Sequence, residues 1–164
     1  MNKPKLEYQQ QDTSLTLQEA LQEYYNANPH LLDASKFSNE TGDFFRSHDR
    51  VHVVFGCDTT FMDESKADFW TIMGVDIGLR NYLKLAASPV VRDLYQDIKT
   101  KMTEDARVRL RKDIRQGITG ALIAPFKVYL RARHMRRKWP WHKNDEYLNL
   151  PLREIRSDFG IEIL

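Results

Sequence analysis

Long stretches of the chain repeat apolar residues at three- and four-residue spacing rather than alternating them, which is the period of a helix. Leu17, Leu21, Tyr24 and Tyr25 mark the first helix, with Ser14 or Thr16 as its N-cap and Asn28-Pro29 as its stop. A second helix is expected over Asp43 to Phe55, ended by Gly56. Thr60 caps a third and puts Asp63 at its third position, close to a capping box. Its apolar positions run through Phe61, Phe69, Ile72, Met73, Ile77, Leu79, Tyr82 and Leu83, so one long helix is predicted. Gly74 and Gly78, four apart, leave room on one face for another helix or a ligand.

Ser88-Pro89 is a cap followed by proline at the first helical position, and Val90, Val91, Leu94, Tyr95 and Ile98 form the face that follows. A further helix starts near Thr103 and carries mixed charges to Arg115. Gly117 and Gly120 are expected to break or bend it before Leu122 to Lys138, and Trp139-Pro140-Trp141 ends it. Pro151 to Ile161 reads as a short closing helix, with Leu152 and Ile155 inward and Gly160 as terminator. No segment demands a sheet. The fold class is all-α: one helical domain over 1–164 with six or seven helices, residues 1–12 being a flexible lead-in.

Composition fits that picture. With 164 residues, 41% hydrophobic and 29% charged, the chain is long enough for one real core. No run of 18 apolar residues is present, and the opening M-N-K-P-K-L-E-Y-Q-Q-Q-D lacks the apolar region of a secretory signal. The single cysteine, Cys57, suits a reducing cytosol and reads as a small buried hydrophobe. The net charge of +2 hides an asymmetry: residues 1–80 hold 7 Lys+Arg and 13 Asp+Glu, while residues 81–164 hold 18 and 10. Lys127 to Lys143 contains seven Lys or Arg and no acid. An acidic half that holds a cation and a basic half that meets something anionic is the simplest physical reading. Nucleic acid is disfavoured, because the acidic half would repel it and no recognition motif is present.

The candidate chemistry lies in H-D-R-V-H-V-V-F-G-C-D-T-T-F-M-D-E-S, residues 48–65. At about 100° per helical residue, His48, Asp49 and His52 share an arc of about 100°. Two imidazoles four apart can hold one metal. Twelve residues of straight helix would put Glu64 about 18 Å from His52, so the chain has to turn back. Gly56 and Asp58-Thr59-Thr60 supply turn and cap formers for that reversal. The expected site is two helices meeting around one cation, with zinc, iron, manganese or nickel all compatible. The ordinary alternative is a chance His-x-x-x-His pair, a solvated Asp49, and a Glu64 that favours a helix N-terminus. The His-Glu-x-x-His proteases differ, since Asp49 is a methylene shorter than their glutamate. His-Asp phosphohydrolases would need His30 and Asp76 as further ligands and would leave His52 unused.

The spacing His48-Asp49-x-x-His52-x11-Glu64 resembles the signature of the Coq-four type ubiquinone (coenzyme Q) biosynthesis proteins. E-S-K-A-D-F-W, residues 64–70, is similar to that family's continuation, and P-L-R-E-I-R-S-D-F-G-I, residues 151–161, looks like its closing segment. The resemblance covers roughly residue 40 to the end. The chain departs from the pattern in being shorter, in Arg50-Val51 between the histidines, and in Asp63 before the glutamate.

The resemblance implies an all-α fold and a divalent metal, zinc first and iron or manganese otherwise, on His48, Asp49, His52 and Glu64. It implies a prenylated lipid or quinone precursor in an apolar groove, other quinone-biosynthesis enzymes as partners, a homodimer as one option, and a cytoplasmic place on the inner face of a membrane. The activity it implies is oxidative decarboxylation of a prenylated benzoate ring at carbon one, with the metal polarising a ring oxygen. Alternatives are a non-catalytic scaffold that presents lipid to other enzymes and, further off, a metal-dependent hydrolase. Phe69, Trp70, Ile72, Met73, Ile77 and Tyr82 are candidates to line the lipid channel, with Gly74 and Gly78 giving room. Arg133, Arg136, Arg137 and Lys138, with Trp139 and Trp141 at the interface, are candidates to face the membrane.

Overall fold

A computed structural model describes residues 5–29, 31, 39–89, 91, 92, 96, 100 and 104–164. Among them are six α-helices: α1 Leu17–Ala27, α2 Asn39–Val54, α3 Phe61–Gly74, α4 Leu79–Ala86, α5 Glu104–Ala132 and α6 Leu152–Phe159. Glu7–Gln9 and Asp145–Tyr147 are single 3-10 turns, and the described residues form no strand. The all-α expectation holds. His30, Val90, Leu94, Tyr95, Ile98 and Thr103 lie outside the described residues.

Local chemistry sets most boundaries. Thr16 caps α1 by accepting from Glu19 N, while Glu19 reaches back to Thr16 N in a capping box. Gly56, at φ 70°, ends the second helical segment in a left-handed turn that a Cβ would strain. Thr60 caps α3 from Asp63 N. The closing helix ends at Gly160, also left-handed at φ 68°.

Two helix boundaries differ from expectation, and both differences are tertiary in origin. The third helix stops at Gly74 instead of running through Leu83. Val75 forms a parallel bridge with Trp139, Trp139 N donates to Gly74 O at 2.8 Å, Asp76 N donates to Trp139 O at 3.0 Å, and Trp141 N donates to the Asp76 carboxylate at 2.8 Å. The partner of the break is thus 64 residues away in sequence. Gly78, at φ 74°, then starts α4. Conversely, Gly117 and Gly120 do not interrupt α5, which is continuous over 29 residues. They bring it close to α3: a Cβ on Gly120 would sit 2.3 Å from Met62 Sδ, and one on Gly117 3.4 Å from Met62 and Phe61. On the same face Asp113 accepts from Phe61 N at 2.8 Å, so α5 also caps α3.

Residues 5–12, read from sequence as flexible, are packed. Tyr8 is fully buried, its ring edge-on to Tyr24, and its hydroxyl donates to Cys57 O at 3.0 Å. Above it lies Arg156, wholly buried and facing main-chain carbonyls: Val54 O at 2.9 Å, Val53 O at 3.0 Å, Tyr8 O at 2.6 Å and Gln10 O at 2.5 Å. Two of these belong to the C-terminal end of α2, where the helix dipole favours a cation. Burial pulls the Arg156 guanidinium down to about 10, still well above neutrality, so it stays charged.

Trp139 and Trp141, expected at a membrane interface, are buried core residues instead. Trp139 packs on Tyr147 and Phe159, and Trp141 on Phe44 and Tyr82. Arg133, Arg136, Arg137 and Lys138 are exposed, with Arg137 lying 3.9 Å over the Phe159 ring and paired with Asp158.

Candidate metal centre

The last two turns of α2 carry His48, Asp49 and His52, and the 55–60 turn reverses the chain so that Glu64 enters on the first turn of α3. The reversal is held at several points. Cys57 N donates to His52 O at 2.8 Å, Thr59 Oγ1 donates to the Asn28 side chain at 2.9 Å, and Asn28 Nδ2 donates to Tyr24 O at 3.0 Å. As the arithmetic on the sequence requires, Glu64 returns to the imidazole pair. One ligand atom from each of His48, His52 and Glu64 lies within 4.8 Å of the others.

His52 is the most constrained of the three. It is 1% exposed, and its Nδ1 lies 3.1 Å from Asp58 O. A carbonyl only accepts, so Nδ1 carries the proton. When the ring is neutral, that tautomer leaves a lone pair on Nε2, which is buried, has no hydrogen-bond partner and sits 3.5 Å from Glu64 Oε2. A lone pair facing a carboxylate is repulsive unless a cation, proton or metal, lies between them. The indole N–H groups of Trp70 and Trp139 are also buried without partners. They are neutral donors inside aromatic clusters, whereas His52 Nε2 points at other ligating atoms.

The spacing suits an ion. Metal–nitrogen and metal–oxygen bonds of about 2.1 Å at tetrahedral angles put neighbouring ligand atoms about 3.4 Å apart. The His52–Glu64 separation matches that distance, and the widest pair needs to close by roughly 1.4 Å, within reach of a rotamer adjustment. Rings pack around the group: Tyr24 on His52 at 5.6 Å between centroids, His48 on His52 at 4.8 Å, and Phe44 on His48 at 5.9 Å. His48 and Glu64 are part-exposed, so the site opens to solvent on one side.

Electrostatics agree with a coupled pair. Burial would push His52 down, but the Glu64 carboxylate outweighs it and the imidazole is raised. Burial would push Glu64 up, but His52 holds it below the usual carboxylate range. Burial raises Asp49, which is 7% exposed.

Asp49 is not part of the converging group. Its Oδ2 accepts from Tyr25 Oη at 3.0 Å, so it faces α1. The rotation of about 100° between neighbouring helical residues is enough to carry so short a side chain off the ligand face. Asp68 stands nearer. Its Oδ1 lies 3.9 Å from His48 Nε2 and accepts from Tyr82 Oη. Sequence reasoning passed over it, although Asp68 follows Glu64 by one helical turn on the same face. Cys57 is 1% exposed and burial pushes its thiol up, as expected of an inert buried residue.

The lipid-channel candidates and the two glycines expected to give them room meet different surroundings. Trp70 is fully buried and stacks on Phe55 at 4.4 Å. A Cβ on Gly74 would meet Trp70, Met135 and Phe55 at 3.0–3.3 Å, which makes this glycine a packing contact. Phe69 and Met73 lie half-buried against the core, and Gly78 faces open space. Ile77 borders a groove of about 620 Å³ with Phe44, Leu85 and Trp141, and Asp76 and Lys84 add charge to it. Because Phe44 also stacks on His48, this groove adjoins the candidate ligands.

Comparisons of the chain with models of protein families, with curated proteins and with solved structures return no match.

Proposed function

We propose that the protein binds a divalent metal through His48, His52 and Glu64 and works in ubiquinone biosynthesis on a prenylated hydroxybenzoate ring. One observation carries the metal: the buried, unpartnered Nε2 of His52 aimed at Glu64. The quinone assignment rests on the resemblance of the 48–64 and 151–161 segments.

Two neutral imidazoles and one carboxylate leave a divalent ion with surplus positive charge and at least one position for an outside ligand. Bound there, the metal supplies a Lewis acid for the ring carboxylate or phenol oxygen. The chain's own residues set its terms. Asp58 O fixes the His52 tautomer, Glu64 provides the charge, and Phe44 and Trp141 offer aromatic surface in the groove beside His48 for the ring. Zinc is the first metal to test, then iron and manganese.

The test is elemental analysis of protein purified without chelator, followed by a decarboxylation assay in air. Near-stoichiometric divalent metal, lost in His52→Ala, is expected, together with carbon dioxide released from a prenylated hydroxybenzoate. No metal in the wild type ends the metal reading. Metal without carbon dioxide, but with retained lipid, turns the reading to a scaffold that presents lipid to other enzymes.

A further inference from the structure

We infer that Asp68, held by Tyr82, is a positioning residue that decides which nitrogen His48 turns toward the ion. The inference rests on the metal reading for its purpose, and it brings in two residues outside the converging group.

An imidazole that binds a metal through one nitrogen is aimed by whatever holds the other. Asp58 O holds His52 in this way, from the main chain. His48 is held differently. Phe44 lies along its face at 5.9 Å with the planes 22° apart, and His52 meets it at 4.8 Å. Stacking fixes the plane of a ring. A half-turn about the ring's own bond keeps that plane and carries both nitrogens to the other edge. Only a directional partner separates the two orientations. The carboxylate beside His48 Nε2 is Asp68, with Oδ1 at 3.9 Å. That is about 1 Å longer than a charge-assisted hydrogen bond. The Asp68 side chain is half-exposed, so a rotamer adjustment can close the gap. An ionised carboxylate only accepts, so Nε2 then carries the proton and Nδ1 is left for the ion. Asp68 lies outside the three residues whose ligand atoms converge, which suits an orienting group better than a further ligand.

Tyr82 fixes the carboxylate in turn. Its hydroxyl donates to the same Asp68 Oδ1. The phenol is 7% exposed, with its ring edge-on to Trp141. In one straight helix Tyr82 would stand about 21 Å beyond Asp68. The break after Gly74 turns α4 back and lays the phenol on the carboxylate. The bonds of Gly74 and Asp76 to Trp139 therefore reach the candidate metal centre through Tyr82. A tyrosine O–H and an imidazole N–H both donating to one ionised acid leave that acid satisfied and directed.

Nitrogen NMR of protein labelled at histidine and loaded with zinc tests the assignment. His48 Nδ1 should carry the shift of a zinc-bound nitrogen and Nε2 that of a protonated one. Asp68→Ala should lower zinc affinity about 10–100-fold in chelator competition. The thermal melt of that variant without metal should change little, because the side chain is half-exposed. Asp68→Asn keeps an acceptor oxygen and should recover most of the affinity. Tyr82→Phe keeps the ring and should cost less than about tenfold. Zinc on His48 Nε2, or undiminished affinity in Asp68→Ala, would overturn the proposal. So would a loss there as deep as that of His52→Ala, which would make Asp68 a ligand. If the wild type takes up no zinc, the metal reading falls separately and the metal-free protein decides. There the His48 Nε2 proton should exchange with solvent more slowly in the wild type than in Asp68→Ala, and equal exchange would overturn the proposal.

Discussion

Two buried polar side chains meet at the end of α2, and they are treated in opposite ways. Arg156 enters a fully buried position with no carboxylate in ion-pair contact among the described residues, and carbonyls of Tyr8, Gln10, Val53 and Val54 take its donors. His52 enters an equally buried position, satisfies one nitrogen on Asp58 O, and leaves the other facing Glu64 unpartnered. A polar group whose hydrogen bonds all close within the chain serves the fold. One left open toward convergent ligands costs the fold something and is explained by what it binds.

The largest effect expected is on the closed side. Arg156→Ala strands the buried carbonyls of Tyr8 and Val54, at about 1–3 kcal/mol each, and takes a donor from those of Gln10 and Val53, which keep Thr13 N and Gly56 N; a loss on the order of 3–5 kcal/mol is expected in denaturant melts. Arg156→Lys should recover little, because an ammonium cannot reproduce the five-donor fork. On the open side, His52→Ala should lower metal affinity by more than the ~10–100-fold typical of an outer-shell change, read by chelator competition. Glu64→Gln sharpens the contrast. It should lose the metal, yet its amide donates to His52 Nε2, so the metal-free protein should be as stable as wild type or more so by about 1 kcal/mol. A stability loss comparable to that of Arg156→Ala would mean that Glu64 serves the fold. Asp49→Asn should leave metal affinity within about tenfold, because its partner is Tyr25; a loss as deep as that of His52→Ala would return Asp49 to the ligand set. The smallest effect belongs to Gly56→Ala, about 1 kcal/mol in thermal melts, from its left-handed backbone at φ 70°.

What could be read from the sequence was what is settled within a few residues. The caps at Thr16 and Thr60, the stops at Gly56 and Gly160, and the return of Glu64 to the histidine pair all follow from side chains acting on their own neighbourhood. What was misread depends on distant partners. The break after Gly74 needs Trp139, and the continuity of α5 through Gly117 and Gly120 needs Met62 on α3. The tryptophans looked like interface anchors because a basic run beside aromatic residues reads the same whether the rings face lipid or a core. Asp49 was placed with the ligands by an angular argument that ignored Tyr25 on a neighbouring helix. The burial of Arg156 had no local sign, since its acceptors are all main-chain oxygens.

The Arg156 contacts also set an order of events during synthesis. Its bonds to Gln10 and Tyr8 span 146 and 148 residues. While the chain emerges from a ribosome, α2 can form and the histidines can face Glu64, but the carbonyls at the base of α2 stay wet until α6 appears. The end of α2 that carries the histidines becomes rigid only after the chain through Arg156 has left the exit tunnel.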